Sequence, residues 1–171
     1  MENSKKQREL KVIGNAVHVS IEGCDDIPAK IDTGADSSSV WASNIEIKED
    51  GHLYFTLFDK KSPFYTGKVL KRKDFSVLVV RSSNGTEQIR YFTKLLIKIK
   101  GRKIRASVTL TNRSNNSFPV LIGRRTLAGK FLVDTSKTNI LRPPKNVKSG
   151  PLNDELKKDP HKFHQKYFKK S

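Results

Sequence analysis

Ile27-Pro28-Ala29-Lys30-Ile31-Asp32-Thr33-Gly34-Ala35-Asp36 places the tightest chemical constraint on this chain. An apolar run leads into an acid, a hydroxyl and a glycine, followed by alanine and a second acid. An aspartate that holds a water for attack on a carbonyl needs a sharp turn after a buried strand, a hydroxyl to brace the turn, and a glycine that lets backbone approach the carboxylate. Asp32, Thr33 and Gly34 supply these in order. The same residue types also build ordinary turns, so the reading leans on the apolar lead-in and on a second motif far downstream. That motif is Phe118-Pro119-Val120-Leu121-Ile122-Gly123-Arg124-Arg125-Thr126-Leu127.

Outward from these motifs the chain has the period-two pattern of half-buried strands. Val17, Val19 and Ile21 alternate with His18 and Ser20, and Ile45 and Ile47 lead through Glu49-Asp50-Gly51-His52 into Leu53–Phe58, a hairpin signal. Phe75–Val80, the turn Ser82-Ser83-Asn84-Gly85 and the return from Gln88 to Ile99 predict a second, longer hairpin. Ile104, Ala106, Val108 and Leu110 mark another strand with one wet face, and Phe131-Leu132-Val133 the last core strand. No segment before Gly123 has helical periodicity, and one short helix is predicted from Arg124 to Ala128, stopped by Gly129. Short strands separated by Gly, Asn and Asp turns indicate a closed all-β domain.

A length of 171 residues suits one core. We assign 1–10 to a flexible basic arm, 11–141 to the β domain, and 142–171 to a basic linker and tail. Pro143-Pro144 and Ser149-Gly150-Pro151 read as linker, and Leu156, Phe163, Tyr167 and Phe168 as an amphipathic short helix, starting near Asp159-Pro160. The absence of an apolar run of roughly 18 residues and of a leader-like start predicts a soluble, cytoplasmic protein with no membrane partner. The lone Cys24 excludes an internal disulfide. A formal charge of +17 draws in anionic partners without specifying the fold.

The two motifs together resemble the retropepsins, the dimeric aspartic peptidases of retroviruses. A closer resemblance runs through Ala29–Ala35, Thr109-Leu110-Thr111-Asn112-Arg113, Leu121-Ile122-Gly123-Arg124 and Val133-Asp134. It is to the bacterial and archaeal retropepsin-like family labelled ATP-dependent zinc protease, the RimB-like family, associated with a glutamate ligase. The resemblance implies a closed retropepsin-like (acid protease) barrel with one short helix after the Leu-Ile-Gly strand, and a single aspartate motif per chain. It implies hydrolysis of peptide bonds by an aspartate-activated water, with Asp32 catalytic and Thr33, Gly34, Ala35, Asp36, Gly123 and Arg124 supporting its loop. Asp36 stands where that family commonly has arginine, as in retroviral enzymes, where the acid pairs with the arginine after the strand glycine; Asp36 and Arg124 are the pair expected here.

Such catalysis needs two carboxylates sharing one proton. With one Asp-Thr-Gly, a homodimer contributing Asp32 twice is the simplest source; Val133-Asp134-Thr135-Ser136 is the rival within one chain. A cleft of this kind also needs a cover, and Ser83, Asn84 and Gly85 at the hairpin tip are the flap candidates. The sequence supports no metal and no cofactor: His-Glu-x-x-His is absent, His161 and His164 form only a pair, and Gly123-Arg124-Arg125-Thr126 lacks Walker spacing. The expected partner is a peptide or protein substrate, acidic or glutamate-extended by family analogy. The alternative is a non-catalytic basic module that binds ribosome, RNA or acidic peptide, with Tyr54, Phe55, Phe58, Phe64 and Tyr65 available for stacking.

Overall fold

A computed structural model describes residues 9–81, 85–137 and 149–168. The chain divides into two compact units, 1–141 and 142–171. In the first, the strands are β1 (Lys11–Ile13), β2 (Ala16–Ile21), β3 (Cys24–Asp32), β4 (Ser38–Ile47), β5 (Leu53–Leu57), β6 (Val69–Arg72), β7 (Phe75–Arg81), β8 (Glu87–Ile99), β9 (Arg102–Thr111), β10 (Val120–Gly123) and β11 (Phe131–Val133). The short helix α1 (Arg124–Leu127) follows β10. Six strands pair in the ring β3-β2-β8-β9-β4-β10, and β10 closes it by lying parallel to β3 and antiparallel to β4. This is the closed all-β domain expected from the short strands and their turns, and the barrel that the resemblance implied.

Alternation fills the interior. Val17, Val19 and Ile21 of β2, Ile27, Ala29 and Ile31 of β3, and Ile97 and Ile99 of β8 turn inward, joined by Val40, Val108, Val120 and Ile122. Each inward aliphatic contributes roughly 1.5–3 kcal/mol through burial. Pro28 has no N–H to give a ladder; it sits one residue before β10 begins to pair with β3 at Ala29.

Two extensions leave the ring. The far end of β4 pairs with β5, which pairs with β6. The outer half of β8, Glu87–Thr93, pairs with β7 as a hairpin, while its inner half lines up with β9 and β2. Thr93, buried where the halves meet, donates from its hydroxyl to the Asp74 carbonyl at 2.9 Å. β6 has no signal in the sequence reading, since only Leu70 of its four residues is buried.

The aromatic residues expected to stack on bases go to other uses. Phe55 and Phe58 are fully buried, and Phe58, at φ +62°, turns its ring under Trp41, with centroids 6.1 Å apart. Phe64 and Tyr65 pack against that core. Tyr54 donates its hydroxyl to Asp50.

The second unit corrects the linker assignment. Ser149–Lys158 is a helix, α2, and Pro160–Phe168 a second, α3. Pro151 lies in the first turn of α2, where a missing N–H costs nothing; the Ser-Gly-Pro signal therefore starts a helix instead of breaking one. Asp159 caps α3, accepting from the Lys162 N–H at 2.9 Å. Phe163 packs on Tyr167 and Phe168, and Glu155 accepts from Lys166 and Tyr167. Among the described residues, no helix is long and apolar enough to cross a membrane.

Asp50 knots the β4–β5 turn to β6. The Lys71 ammonium at 2.8 Å, the Tyr54 hydroxyl at 2.7 Å and the His52 N–H at 3.1 Å hold its carboxyl well below the usual carboxylate range. A carboxyl depressed in the folded state stabilises above its unfolded pKa, and that contribution disappears as pH falls through the folded value. Asp50→Asn should therefore lower the melting temperature at pH 7, with the difference from wild type narrowing once pH drops below about 4; thermal melts across pH 2–7 check this.

Candidate active site

The end of β3 delivers Asp32 to the barrel rim, where the chain turns through 33–37 before re-entering as β4. Asp32 Oδ1 accepts from the Gly34 N–H at 3.1 Å and the Ala35 N–H at 3.2 Å, so the carboxylate is aimed by its own turn. β10 threads between β3 and β4 with Gly123 beside Asp32 and Leu121 beside Ser39. The loop is then fastened from the far side: the Arg124 N–H donates to the Ala35 carbonyl at 2.8 Å and the Arg125 N–H to the Asp36 carbonyl at 3.2 Å. The Arg124 guanidinium meets the Asp36 carboxylate, as the two motifs required. Both side chains are more than half exposed, so solvent limits the pair to about 1 kcal/mol or less; the backbone bonds and what lies beneath them hold the loop more firmly.

Beneath them is Gly123. A Cβ there would come within 2.6 Å of the Ser37 carbonyl carbon and oxygen and 2.8 Å of the Ala35 oxygen. All three are backbone atoms, which cannot swing aside. At Gly34 a Cβ would stand 3.4 Å from Asp32 Oδ1, an ordinary contact. Within one subunit, the strict need for a missing side chain thus falls on Gly123. Ser38, fully buried, completes the support: its Oγ accepts from the Gly123 N–H at 3.1 Å and lies 2.7 Å from Thr126 Oγ1. The Ser38–Thr126 link depends on β10 passing between the two motifs.

Thr33 is exposed on the loop, and among the described residues its hydroxyl has no partner. Asp134, the rival acid, closes its own turn by accepting from the Ser136 N–H at 3.1 Å and hydroxyl at 2.6 Å, pairs with Lys137, and does not line the cleft. Of the flap candidates, Ser83 and Asn84 lie outside the described residues; Gly85, at φ +82°, follows them.

Between the loop and the β7–β8 hairpin lies a cleft of about 500 Å³. Ser39, Thr109 and Leu121, adjacent across β9-β4-β10, form its floor. Leu78, Val80 and Arg90 enter from the hairpin, and Arg113 and Arg125 from the flanks. Arg113 donates from Nε to the Phe118 carbonyl at 3.1 Å. Burial, and then the like charge of Arg90, pull its guanidinium below the ordinary arginine value, while the Asp32 carboxylate acts in the opposite direction. Burial does the same to Arg90. Both stay charged, as arginine does in proteins. Arg113 and Arg125 stand in the quoted motifs without a role read for them there, and Arg90 stands in no motif.

Among the described residues, no three His, Cys, Asp or Glu side chains converge. His164 instead stacks on Phe168.

Residues 12–144 match the family model described as retropepsin-like aspartic endopeptidase RimB, RimB-like. The chain belongs to the RimB-like family. Sequence relatives are named probable alpha-L-glutamate ligase: one from Shewanella pealeana is 32% identical over 120 residues, covering 68% of this chain and 26% of that protein. Another, from Shewanella halifaxensis, is 31% identical over 134 residues, covering 76% and 29%. The chain thus spans less than a third of the length of these curated relatives. Among solved structures, a Legionella pneumophila protein of unknown function shares 26% identity at a TM-score of 0.57, covering 76% of this chain and 97% of that one. The RimB-like match contains the Asp32 loop, the Arg-lined cleft and β10, and ends before the α2–α3 unit.

The support beneath the loop gives a stability test. Gly123→Ala should cost about 1–3 kcal/mol or more by overpacking against fixed backbone, and Ser38→Ala about 1–3 kcal/mol by leaving the Gly123 N–H and Thr126 hydroxyl without their partner. Urea denaturation of each variant measures these losses.

Proposed function

We propose that this RimB-like chain is an aspartic endopeptidase whose catalytic pair forms across a homodimer, each subunit contributing Asp32. The carrying observation is a carboxylate oriented by two N–H groups of its own loop, whose next residues, Gly34, Ala35 and Asp36, line a peptide-sized cleft. The exposed Thr33, whose hydroxyl has no partner among the described residues, supports the dimer, since it can brace the partner's loop. Gly34, exposed and without a steric need inside the subunit, suits the same close approach.

In this reading the two Asp32 carboxyls share one proton, because like charges at short range resist joint ionisation. The ionised one takes a proton from a water as its oxygen attacks the scissile carbonyl carbon, and the protonated one gives its proton to the carbonyl oxygen. The tetrahedral diol collapses when the C–N bond breaks: the amine nitrogen takes a proton from one carboxyl, and a diol hydroxyl gives its proton to the other as the carbonyl re-forms, which restores the singly protonated pair. The β7–β8 hairpin covers the peptide and excludes water. The strongly basic surface favours an acidic substrate kinetically, and the ligase names of the relatives point to glutamate-bearing proteins as the class to test.

Asp32→Asn keeps the side chain's shape and removes the base. It should leave the melting temperature within a few degrees of wild type and abolish cleavage of an acidic peptide library by mass spectrometry. Wild-type specific activity should fall on dilution as sedimentation shows dimer giving way to monomer. Undiminished cleavage by Asp32→Asn, or full activity in a monomer, refutes the assignment.

A further inference from the structure

One polar atom in the cleft has no explanation in the hydrolytic machinery. Ser39 is 6% exposed, and its Oγ is buried without a hydrogen-bond partner among the described residues. Its neighbours on either side cannot satisfy it: Leu121 is apolar, and Thr109 directs its hydroxyl to the Ser38 carbonyl at 3.4 Å. An unsatisfied buried hydroxyl costs about 1–3 kcal/mol, and Ala would fill the same strand position without that penalty. The floor of the cleft therefore holds a donor whose partner arrives from outside the chain.

The charges around it define that partner. Arg113 is anchored through Nε alone, which leaves the two Nη groups, four N–H donors, without partners among the described residues. Arg90 faces the same space and is held by a neutral group, the Gln88 side-chain carbonyl, through Nε at 3.2 Å and Nη2 at 2.8 Å. Of the carboxylates nearby, Asp36 is engaged by Arg124 and Glu87 by Arg81, while Asp32 acts on Arg113 through its charge without forming an ion pair with it among the described residues. Two partly buried guanidiniums that repel one another and form no ion pair among the described residues are stabilised by an anion that accepts several hydrogen bonds in one plane. A backbone carbonyl accepts too few bonds and carries no charge, and an ammonium would be repelled.

We propose that Ser39, Arg90 and Arg113 form a subsite, complete within one subunit, that takes a side-chain carboxylate of the peptide bound in the Asp32 cleft. This rests on the reading of the cleft as a peptide site. Arg113 clasps the carboxylate, Arg90 supplies the second charge from the hairpin, and Ser39 donates from the floor. Because Arg90 belongs to the cover and Ser39 to the barrel, an acidic side chain in this position ties the two together. Specificity then follows from a group left charged and unpaired when the wrong substrate enters: glutamine in place of glutamate leaves both guanidiniums uncompensated.

The test is binding, read separately from cleavage. Full-length protein carrying Asp32→Asn is titrated by fluorescence anisotropy with a labelled oligoglutamate peptide and its oligoglutamine twin at fixed ionic strength. The glutamate peptide should bind at least about tenfold more tightly. Adding Arg113→Met should weaken the glutamate peptide about tenfold and leave the glutamine peptide unchanged; Ser39→Ala should do the same to a smaller degree, and Arg113→Lys should restore part of the loss. Lys103→Gln, which removes one positive charge far from the cleft, should change neither. Equal affinity for the two peptides, equal losses for both in Arg113→Met, or a loss from Lys103→Gln matching that from Arg113→Met overturns the subsite. If Arg113→Met fails to fold by circular dichroism, Ser39→Ala and Arg113→Lys decide by the same criteria. Discrimination without any cleavage by wild type retains the subsite and refutes the peptidase reading; cleavage of both peptides at equal rates does the reverse.

Discussion

The architecture around Asp32 depends on a hydrogen atom where any other residue has a side chain. Gly123 lets β10 pass under the loop with backbone oxygens less than 3 Å from where a Cβ would be. Three consequences follow from that passage. β10 reaches both β3 and β4 and so closes the barrel; its end places the Arg124 and Arg125 N–H groups on the loop carbonyls; and its own N–H reaches Ser38. Barrel closure and carboxylate placement are thus one event, and the acid cannot be displaced without opening the ring.

The charge distribution separates two tasks that the total of +17 conceals. Exposed pairs such as Arg124–Asp36 and Arg81–Glu87 are neutralised locally and lie in solvent, where they contribute little. Arg90 and Arg113 are partly buried, near one another, and not neutralised by any ion pair among the described residues. A field of similar sign outside the cleft raises the rate at which anions arrive, whereas the unpaired arginines inside it set what is retained.

The β domain was legible because its strands are half-buried and alternate, as in Val17-His18-Val19-Ser20-Ile21, and because Asp32 and Gly123 each stand in a compact motif. The Asp36–Arg124 meeting could be anticipated for the same reason. What escaped was set by register between distant segments. Ser39 becomes an orphan only because parallel pairing puts Thr109 on one side and β10 puts Leu121 on the other. Arg113 ends a quoted motif, but its place in the cleft is set only where the Phe118 carbonyl anchors it. β6 has one buried residue to announce it, and α2 opens on residues that equally well end a helix. The aromatic cluster misled because Phe58 adopts a left-handed backbone, which places two successive residues, Leu57 and Phe58, on the same inner side.

β8 has a mechanical consequence. Its inner half is a stave held on both edges, whereas beyond Phe92 it keeps only β7 for company. Such a strand behaves as a springboard clamped at Thr93, where the hydroxyl clip to Asp74 fixes the pivot. Deflection of the free length breaks no rung of the closed ring, so the hairpin can move while the barrel strands keep their pairing.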